Sequence, residues 1–551
     1  MRNNSLAMSR QTFDPVQVEV WRHLLSAVAE EMGATLERTA YSPNIKERLD
    51  HSCALFDARG RLLAQAAHIP VHLGAMPLML QRLRHAIPWR PGLMWLCNDP
   101  RIGGTHLPDL TLVAPVYLSG GQSPKTASRT LLGFVASRAH HADIGGLSPG
   151  SLPLSTELFH EGLILPPLRL VERGQVREDV LNLVCANSRT PAERRGDLSA
   201  QVAANETGIR RLQALAQRYG LEEFRQRTGE NIAYAAEVVR KTLASLPPGT
   251  YTATDVLDDD GAGTANIPIT VTATLRRSGQ AIFDFTGSAP QVKGSLNATE
   301  AITRSACYYL VRCLVDEEIP TNEGCFAPIA VIAPEGSIVN ARFPAAVAAG
   351  NVETSQRIVD VLLRALAQAA PDRLPAASQG TMNNLTIGSY DALRHRPFAY
   401  YETLAGGAGA SPAGDGASAI HTHMTNTRNT PVEALESHYP LRVQEYSIAQ
   451  GTGGAGLHRG GDGLIRRIEL LTEARVSLLA ERRTHPPFGA NGGAPGTPGA
   501  ETLTEPGQAP QPMPGKWSRH CPAGTVLSIR TPGGGGWGPE PGNPAKSASE
   551  G

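Results

Sequence analysis

The chain has 551 residues, with 51 Lys and Arg against 51 Asp and Glu, so its formal net charge is zero. That balance excludes a strongly cationic nucleic-acid binder, and a hydrophobic content of 41% excludes a mostly disordered chain. No apolar run approaches the roughly 18 residues of a membrane-spanning helix, and the N-terminal MRNNSLAMSRQTFDPV has no apolar segment of a secretory signal. The seven cysteines are scattered without a CxxC pair. Reduced thiols in a soluble cytoplasmic protein are therefore expected.

In chain order, residues 1–12 are polar. Trp21, Leu24, Leu25, Val28 and Met32 recur at helical spacing and predict an amphipathic helix from Pro15 to Arg38. CALFDARGRLLAQ predicts a hairpin turning at Asp57–Gly60. A helix is expected from Met76 to Ala86. TLVAPVYL and TLLGFVAS then read as buried strands flanking a turn at Gly120–Ser123. Residues 191–245 keep a period near 3.6, with Gly220 breaking them into two helices and Pro247-Pro248-Gly249 ending the pair. ITVTATLRR and AIFDFTG alternate as antiparallel strands. Helices follow at Glu300–Val315 and Ser355–Ala370. Beyond residue 375 the chain is glycine-rich, with short strands at LIRRIELL and RVSLLAERR. Residues 486–516 read as a long surface loop, and the last dozen residues as disordered.

Chemistry concentrates early. Seven of the sixteen histidines lie between His51 and His141, a span that also holds three polar strings: NIKERLDHSCALFD, NDPRIGGTHLPDLTLV and SRAHHADIGG. Imidazole with carboxylate is a donor set for Zn, Mn or Fe(II). In an extended strand His106 and Asp109 would point to opposite faces about 10 Å apart. Sharing one ion therefore requires an unusual bend, because Pro108 disfavours a type I turn at that point. Pro70 argues against a regular helix carrying His68 and His72 on one face, which favours a structural or substrate-lining role for them. His421 and His423 would share a side of an exposed strand. Cys53 is expected to pack in a strand. GTGGAG from Gly451 contains GxGxxG, but a strand-like LIRRIELL follows where a dinucleotide site needs a helix. GxxxxGK[ST] and GxSxG are both absent. Any nucleotide is therefore expected on another chain.

The strings NIKERLDHSCALFDARGRLLAQAAHIPVHLGAM, NDPRIGGTHLPDLTLV, SRAHHADIGGLSPGSLP, NSRTPAERRGDLSAQVAAN, GNVETSQRIVDVLLRAL, GTMNNLTIG, YYETLAGGAGA, HTHMTNTRNTPVEALE and TPGGGGWG, taken in order, resemble the hydantoinase B/oxoprolinase family. The resemblance implies one divalent metal (Zn, Mn or Fe) held by Asp50, His106, Asp109 and His140. His140 is preferred over its neighbour because the first His of the pair matches the family position. His141 and Asp143 are then expected to support the metal's ligands from behind or to face substrate, with the Asp orienting the attacking water or acting as a base. It also implies a hydantoinase A type partner with an actin-like ATPase fold, which binds ATP with Mg, and a B-type subunit that opens a hydantoin, 5-oxoproline or similar lactam ring. Two alternatives stand beside this: the metal subunit of an acetone-carboxylase-like ketone carboxylase, and a non-catalytic structural subunit. The one departure is LSGGQSPKTASRT, longer and more polar than the family leads one to expect between its flanking motifs.

The expected fold is mixed α/β and α+β and multidomain. It comprises a metal-bearing α/β region (13–190), a helical segment (191–248), an antiparallel β region with a helix (249–340), a glycine-rich region (341–538) and a disordered tail (539–551).

Overall fold

The computed structural model describes residues 13–66, 69–119, 129–316, 318–392 and 394–541. His68, the turn expected at 120–123 and the distinctive part of the LSGGQSPKTASRT segment lie outside the described residues. So do residues 1–12 and nearly all of the tail.

Helix α1 (Pro15–Thr39) starts where expected. Asp14 caps it by accepting from the Val16 and Gln17 amides, and Pro15 occupies the first turn. Its inner face buries Trp21, Leu25, Val28, Met32 and Leu36. A single turn, α2 (Pro43–Lys46), leads into the hairpin β1 (His51–Asp57) and β2 (Leu62–Gln65). Then come a 3₁₀ turn at Pro70–His72 and α3 (Ala75–Ala86). The remaining strands of the first sheet are β3 (Met94–Cys97), β4 (Asp109–Ser119), β5 (Arg129–His140), β6 (Leu168–Glu172) and β7 (Gln175–Val176). Their order is β2-β1-β5-β4-β3-β6-β7, and every ladder is antiparallel.

After α4 (Glu178–Ala186), helices α5 (Pro191–Tyr219) and α6 (Leu221–Ser245) part at Gly220, whose φ of 85° suits a residue without Cβ. Residues of α1, α4, α5 and α6 share one apolar core with the first sheet. Polar side chains of α5 are matched to that sheet: Gln201 donates to Leu110 O at 3.0 Å and Asn205 to Leu112 O at 2.9 Å.

The second sheet runs β11-β10-β9-β8, built from β8 (Gly249–Asp259), β9 (Ala265–Leu275), β10 (Ala281–Asp284) and β11 (Ile329–Ile332). Helices α7 (Glu300–Cys313) and α8 (Ser355–Leu366) belong to the same core. A π-helical turn, Gly350–Thr354, precedes α8.

The C-terminal part carries β12 (Asn384–Asp391), β13 (Arg396–Glu402), β14 (Leu441–Ala449), β15 (Gly463–Leu470), β16 (Ala474–Leu479), β17 (Ala500–Thr504), β18 (Gln511–Met513), β19 (Lys516–Cys521) and β20 (Val526–Arg530). They form two sheets, β13-β12-β16-β19 and β14-β15-β20-β17-β18.

Two expectations are corrected here. Residues 486–516 are not a bare loop, because β17 pairs with β20 and β18 with β17. Proline, glycine and alanine around these short strands hid their alternation. The segment His421–His423 is not a strand, and His423 sits at a φ of 55° within irregular backbone. Glycines 533–536 allow close backbone packing: a Cβ on Gly534 would lie 1.9 Å from Ala408 O. This run is thus packed against protein backbone.

A buried charge network ties the second sheet to the C-terminal part. Arg482 reaches Asp255 at 2.8 Å and Asp360 at 2.5 Å, Lys516 reaches Glu481 at 2.6 Å, and Arg357 lies 3.4 Å from Glu481. Among the described residues all seven cysteines are free, and no helix is long and apolar enough to cross a membrane.

Candidate functional site

The sheet order explains why distant residues meet. β1, β5 and β4 are neighbours, with His51 opposite Ala139 and Asp109 opposite His140. Asp50, one residue before β1, accepts the His140 amide on its carbonyl at 3.0 Å. Three strand ends thus carry Asp50, His140 and Asp109 to one place. His106 joins them through a turn that the Asp109 amide closes on His106 O at 3.2 Å, despite Pro108. This is the bend that extended geometry could not provide, and it leaves His106 Nε2 3.5 Å from Asp109 Oδ1. Gly104 is required beside it: a Cβ there would lie 2.3 Å from Asn98 O.

Asp50, Asp109 and His140 line a buried cavity of about 20 Å³ together with His72, Asn351, Tyr401, Thr403, Thr425 and Thr427, which is room for about one water molecule; His106 stands behind that lining, against Asp109. The apolar walls are Ile69, Val71, Val352, Met382 and Met424. The His106 and His140 rings meet edge to face at 4.9 Å, and Tyr401 stacks on His140 at 4.6 Å. Arg48 lies over Tyr401 and donates to Tyr401 O at 2.8 Å.

Burial governs the electrostatics. It pushes the Asp50 carboxyl up to about 7, although Arg48 opposes it. It also lowers His72 and His140, keeping both rings neutral. Burial acts against charge on Asp109 and His106 too, yet each sustains the other: Asp109 is held well below the usual carboxylate range and His106 is raised.

Among the described residues no three His, Cys, Asp or Glu side chains are drawn to ligand spacing around one point. The donor chemistry nevertheless fits a divalent cation. His106 Nδ1 lies 3.2 Å from Ala348 O. In the neutral ring, donation there leaves Nε2 as the lone-pair nitrogen facing Asp109, the usual arrangement for a ligating imidazole; a cation would displace the proton that Asp109 otherwise favours on it. His140 Nε2 is buried without a hydrogen-bond partner. A cation would also satisfy the buried Asp50 carboxylate, which burial otherwise disfavours. Both imidazoles need adjustment. At His106 the Asn351 amide, 3.0 Å from Nε2, would have to turn away; at His140 the constraint lies on Nδ1. Arg48 donates to Asn44 Oδ1, which turns Asn44 Nδ2 toward His140 Nδ1 at 3.0 Å. Ligation through Nε2 would require that amide to rotate.

His141 and Asp143 do not join the cavity, and their expected placement is corrected. One residue beyond His140 the side chain turns to the opposite face, and His141 Nε2 meets Gln201 Oε1 of α5 at 3.0 Å. Burial with nearby Arg194 lowers His141 to about 4. Asp143 is a loop clasp. It accepts from the Gly145, Gly150 and Arg189 amides and pairs with the Arg189 guanidinium at 2.9 Å.

Sequence reasoning assigned no role to Ser52, Asn351, Tyr401 or the 425–427 threonines. Asn351 Nδ2 lies 3.0 Å from His106 Nε2 across 245 residues of chain. Their strings were visible, but the contacts between them were not.

The hydantoinase B/oxoprolinase family profile matches residues 14–540. The chain belongs to that family. It is 40% identical to "5-oxoprolinase 1" of Arabidopsis thaliana over 567 residues, covering 97% of this chain and 42% of that protein. The chain thus spans under half the length of this relative. It is 31% identical to the putative B-type subunit of a D-/L-hydantoinase from Pseudomonas sp. strain NS671, covering 95% of this chain and 90% of that one. Among solved structures, the ATP-dependent caprolactamase of Pseudomonas jessenii superposes with a TM-score of 0.88 at 29% identity, covering 96% of this chain and 92% of that chain.

Proposed function

We propose that this family member is the B-type subunit of an ATP-dependent cyclic amidohydrolase, opening a hydantoin, 5-oxoproline or similar lactam ring at the Asp50–His106–Asp109–His140 site. The observation that carries this reading is the convergence of Asp50, Asp109 and His140 on one buried cavity, with His106 packed against Asp109 and His140 at its edge. When bound there, a divalent ion (Zn, Mn or Fe) supplies Lewis acidity that lowers the pKa of water to near neutrality.

The protein's own part is positioning and exclusion. His106, Asp109, His140 and Asp50 would hold the ion. Ala348 O orients His106, and Tyr401 fixes the plane of His140. Ile69, Val71, Val352, Met382 and Met424 keep bulk water out, while Asn351, Thr403, Thr425 and Thr427 offer polar groups to the edge of an amide ring. A ring exceeds a 20 Å³ cavity, so substrate entry requires a wall to move. The irregular segment carrying Met424, Thr425 and Thr427 is one such wall.

A resonance-stabilised amide is a poor electrophile, and the family chemistry assigns its phosphorylation to an A-type partner that binds ATP with Mg. Support for a divided enzyme comes from the Pseudomonas relative, itself named as one subunit of a hydantoinase, of which this chain covers 90%.

The test is reconstitution with an A-type partner, ATP, Mg and a panel of lactams and hydantoins. ATP-dependent ring opening, lost in His106→Ala and Asp109→Asn, is expected. Full turnover in both variants would overturn the assignment of the site.

A further inference from the structure

His72 lines the same cavity as Asp50, Asp109 and His140, yet its hydrogen bonds give it a different task. It ends the 3₁₀ turn Pro70–His72 and is buried, with its Nδ1 2.9 Å from Ser52 Oγ and its Nε2 3.4 Å from Asp109 Oδ2. Ser52 Oγ already accepts the Ile69 amide at 3.3 Å. A hydroxyl that accepts there directs its own hydrogen elsewhere, and the partner in reach is His72 Nδ1. That nitrogen is then the acceptor, so the ring proton sits on Nε2, aimed at Asp109. The same carboxylate oxygen accepts from Thr105 Oγ1. Asp109 Oδ2 is therefore held by two donors, whereas Oδ1 is turned to His106 Nε2.

We infer that Ser52 and His72 form a positioning relay that fixes the Asp109 carboxylate, so that only Oδ1 is offered to a cation. This rests on the metal reading above and deepens it. His72 is a positioning residue, because its one lone-pair nitrogen is occupied by Ser52. The order Ser–His–Asp does not make Ser52 a nucleophile: its side chain is wholly buried and is not among the residues lining the cavity. Side chains that orient a metal's ligands typically alter affinity about 10–100-fold when removed.

The test is calorimetric titration of Zn(II) and Mn(II) into the full, chelator-treated chain, with thermal melts as the folding control. His72→Leu and Ser52→Ala should each weaken binding about 10–100-fold. The double variant should be no weaker than His72→Leu alone, because both act through one chain of bonds. His72→Gln, whose amide N–H can reach Asp109, should recover most of the affinity. Wild-type affinity in His72→Leu would overturn the relay and leave the metal reading standing. Failure of His72→Gln to rescue would overturn it in favour of direct ligation. No binding by the wild type would sink both. Should His72→Leu not fold, the smaller Ser52→Ala change decides, and its unaltered binding would overturn the relay.

Discussion

Replacing Glu161 with Gln should change the pH dependence of stability in a calculable way. Glu161 is fully buried, and its Oε1 accepts from Ser155 Oγ at 2.6 Å, Val347 N at 2.8 Å and Ala348 N at 2.9 Å. Its Oε2 has no partner. Burial raises this carboxyl from 4.5 to about 7, against those three donors. The folded chain thus keeps a proton that the unfolded chain releases above pH 4.5. The stability this group contributes is full below about pH 4.5, falls as pH rises, and is lost once pH passes about 7. At about 1.4 kcal/mol per pH unit, the interval is worth about 3 kcal/mol. Unfolding entropy of about 2.1 cal/mol/K per residue converts this, over a chain of this length, to about 3 °C. Glu161→Gln retains the Oε1 acceptor and cannot ionise, so it escapes this loss. Thermal melts of both proteins after chelation, from about pH 4.5 to 8, should show the variant gaining about 3 °C on the wild type by about pH 7, with no further gain above. Parallel curves would refute the reasoning. Glu161→Ala should instead release Val347 and Ala348, and with Ala348 O the anchor of His106, weakening metal binding.

His141→Ala should leave kcat of the reconstituted complex within about twofold while costing about 1–3 kcal/mol of stability, because Gln201 Oε1 loses its donor. A thousandfold loss of turnover would return His141 to the chemistry. Gly104→Ala should lower metal content sharply, since its Cβ would stand 2.3 Å from Asn98 O and push the turn that carries His106; elemental analysis measures it, and unchanged metal content would contradict the geometry. Arg482→Met removes a shared partner of Asp255 and Asp360. Arg357 stays 3.5 Å from Asp255 and 4.0 Å from Asp360, so losing the closer cation should cost up to about 3–5 kcal/mol, read by denaturant unfolding, and a cost below about 1 kcal/mol would show Arg482 to be dispensable.

Periodicity and punctuation were enough for the local elements. Apolar residues spaced along one face placed α1, and Pro15 with Asp14 set its start. A glycine with positive φ separated α5 from α6. The clustering of histidines with aspartates pointed to strings whose residues the fold brings together, and family motifs picked Asp50, His106, Asp109 and His140 from among them. Short strands such as β17 and β18 were lost, because proline and glycine interrupt their alternation before it becomes a pattern. Which neighbour of a pair faces the cavity was also beyond local reading. His140 and His141 differ by one backbone step, and only the pairing of β5 with β4, and the placing of α5 behind them, sends one ring to Asp109 and the other to Gln201. The order β1-β5-β4 brings together strand ends from across the N-terminal region, and Asn351, Tyr401 and Thr425 arrive from elements hundreds of residues away. Composition and spacing decide what each segment can do with its own backbone. Contacts across long loops are decided by the shared burial of many segments, so the cavity and the hydrogen bonds around Asp109 belong to the tertiary structure alone.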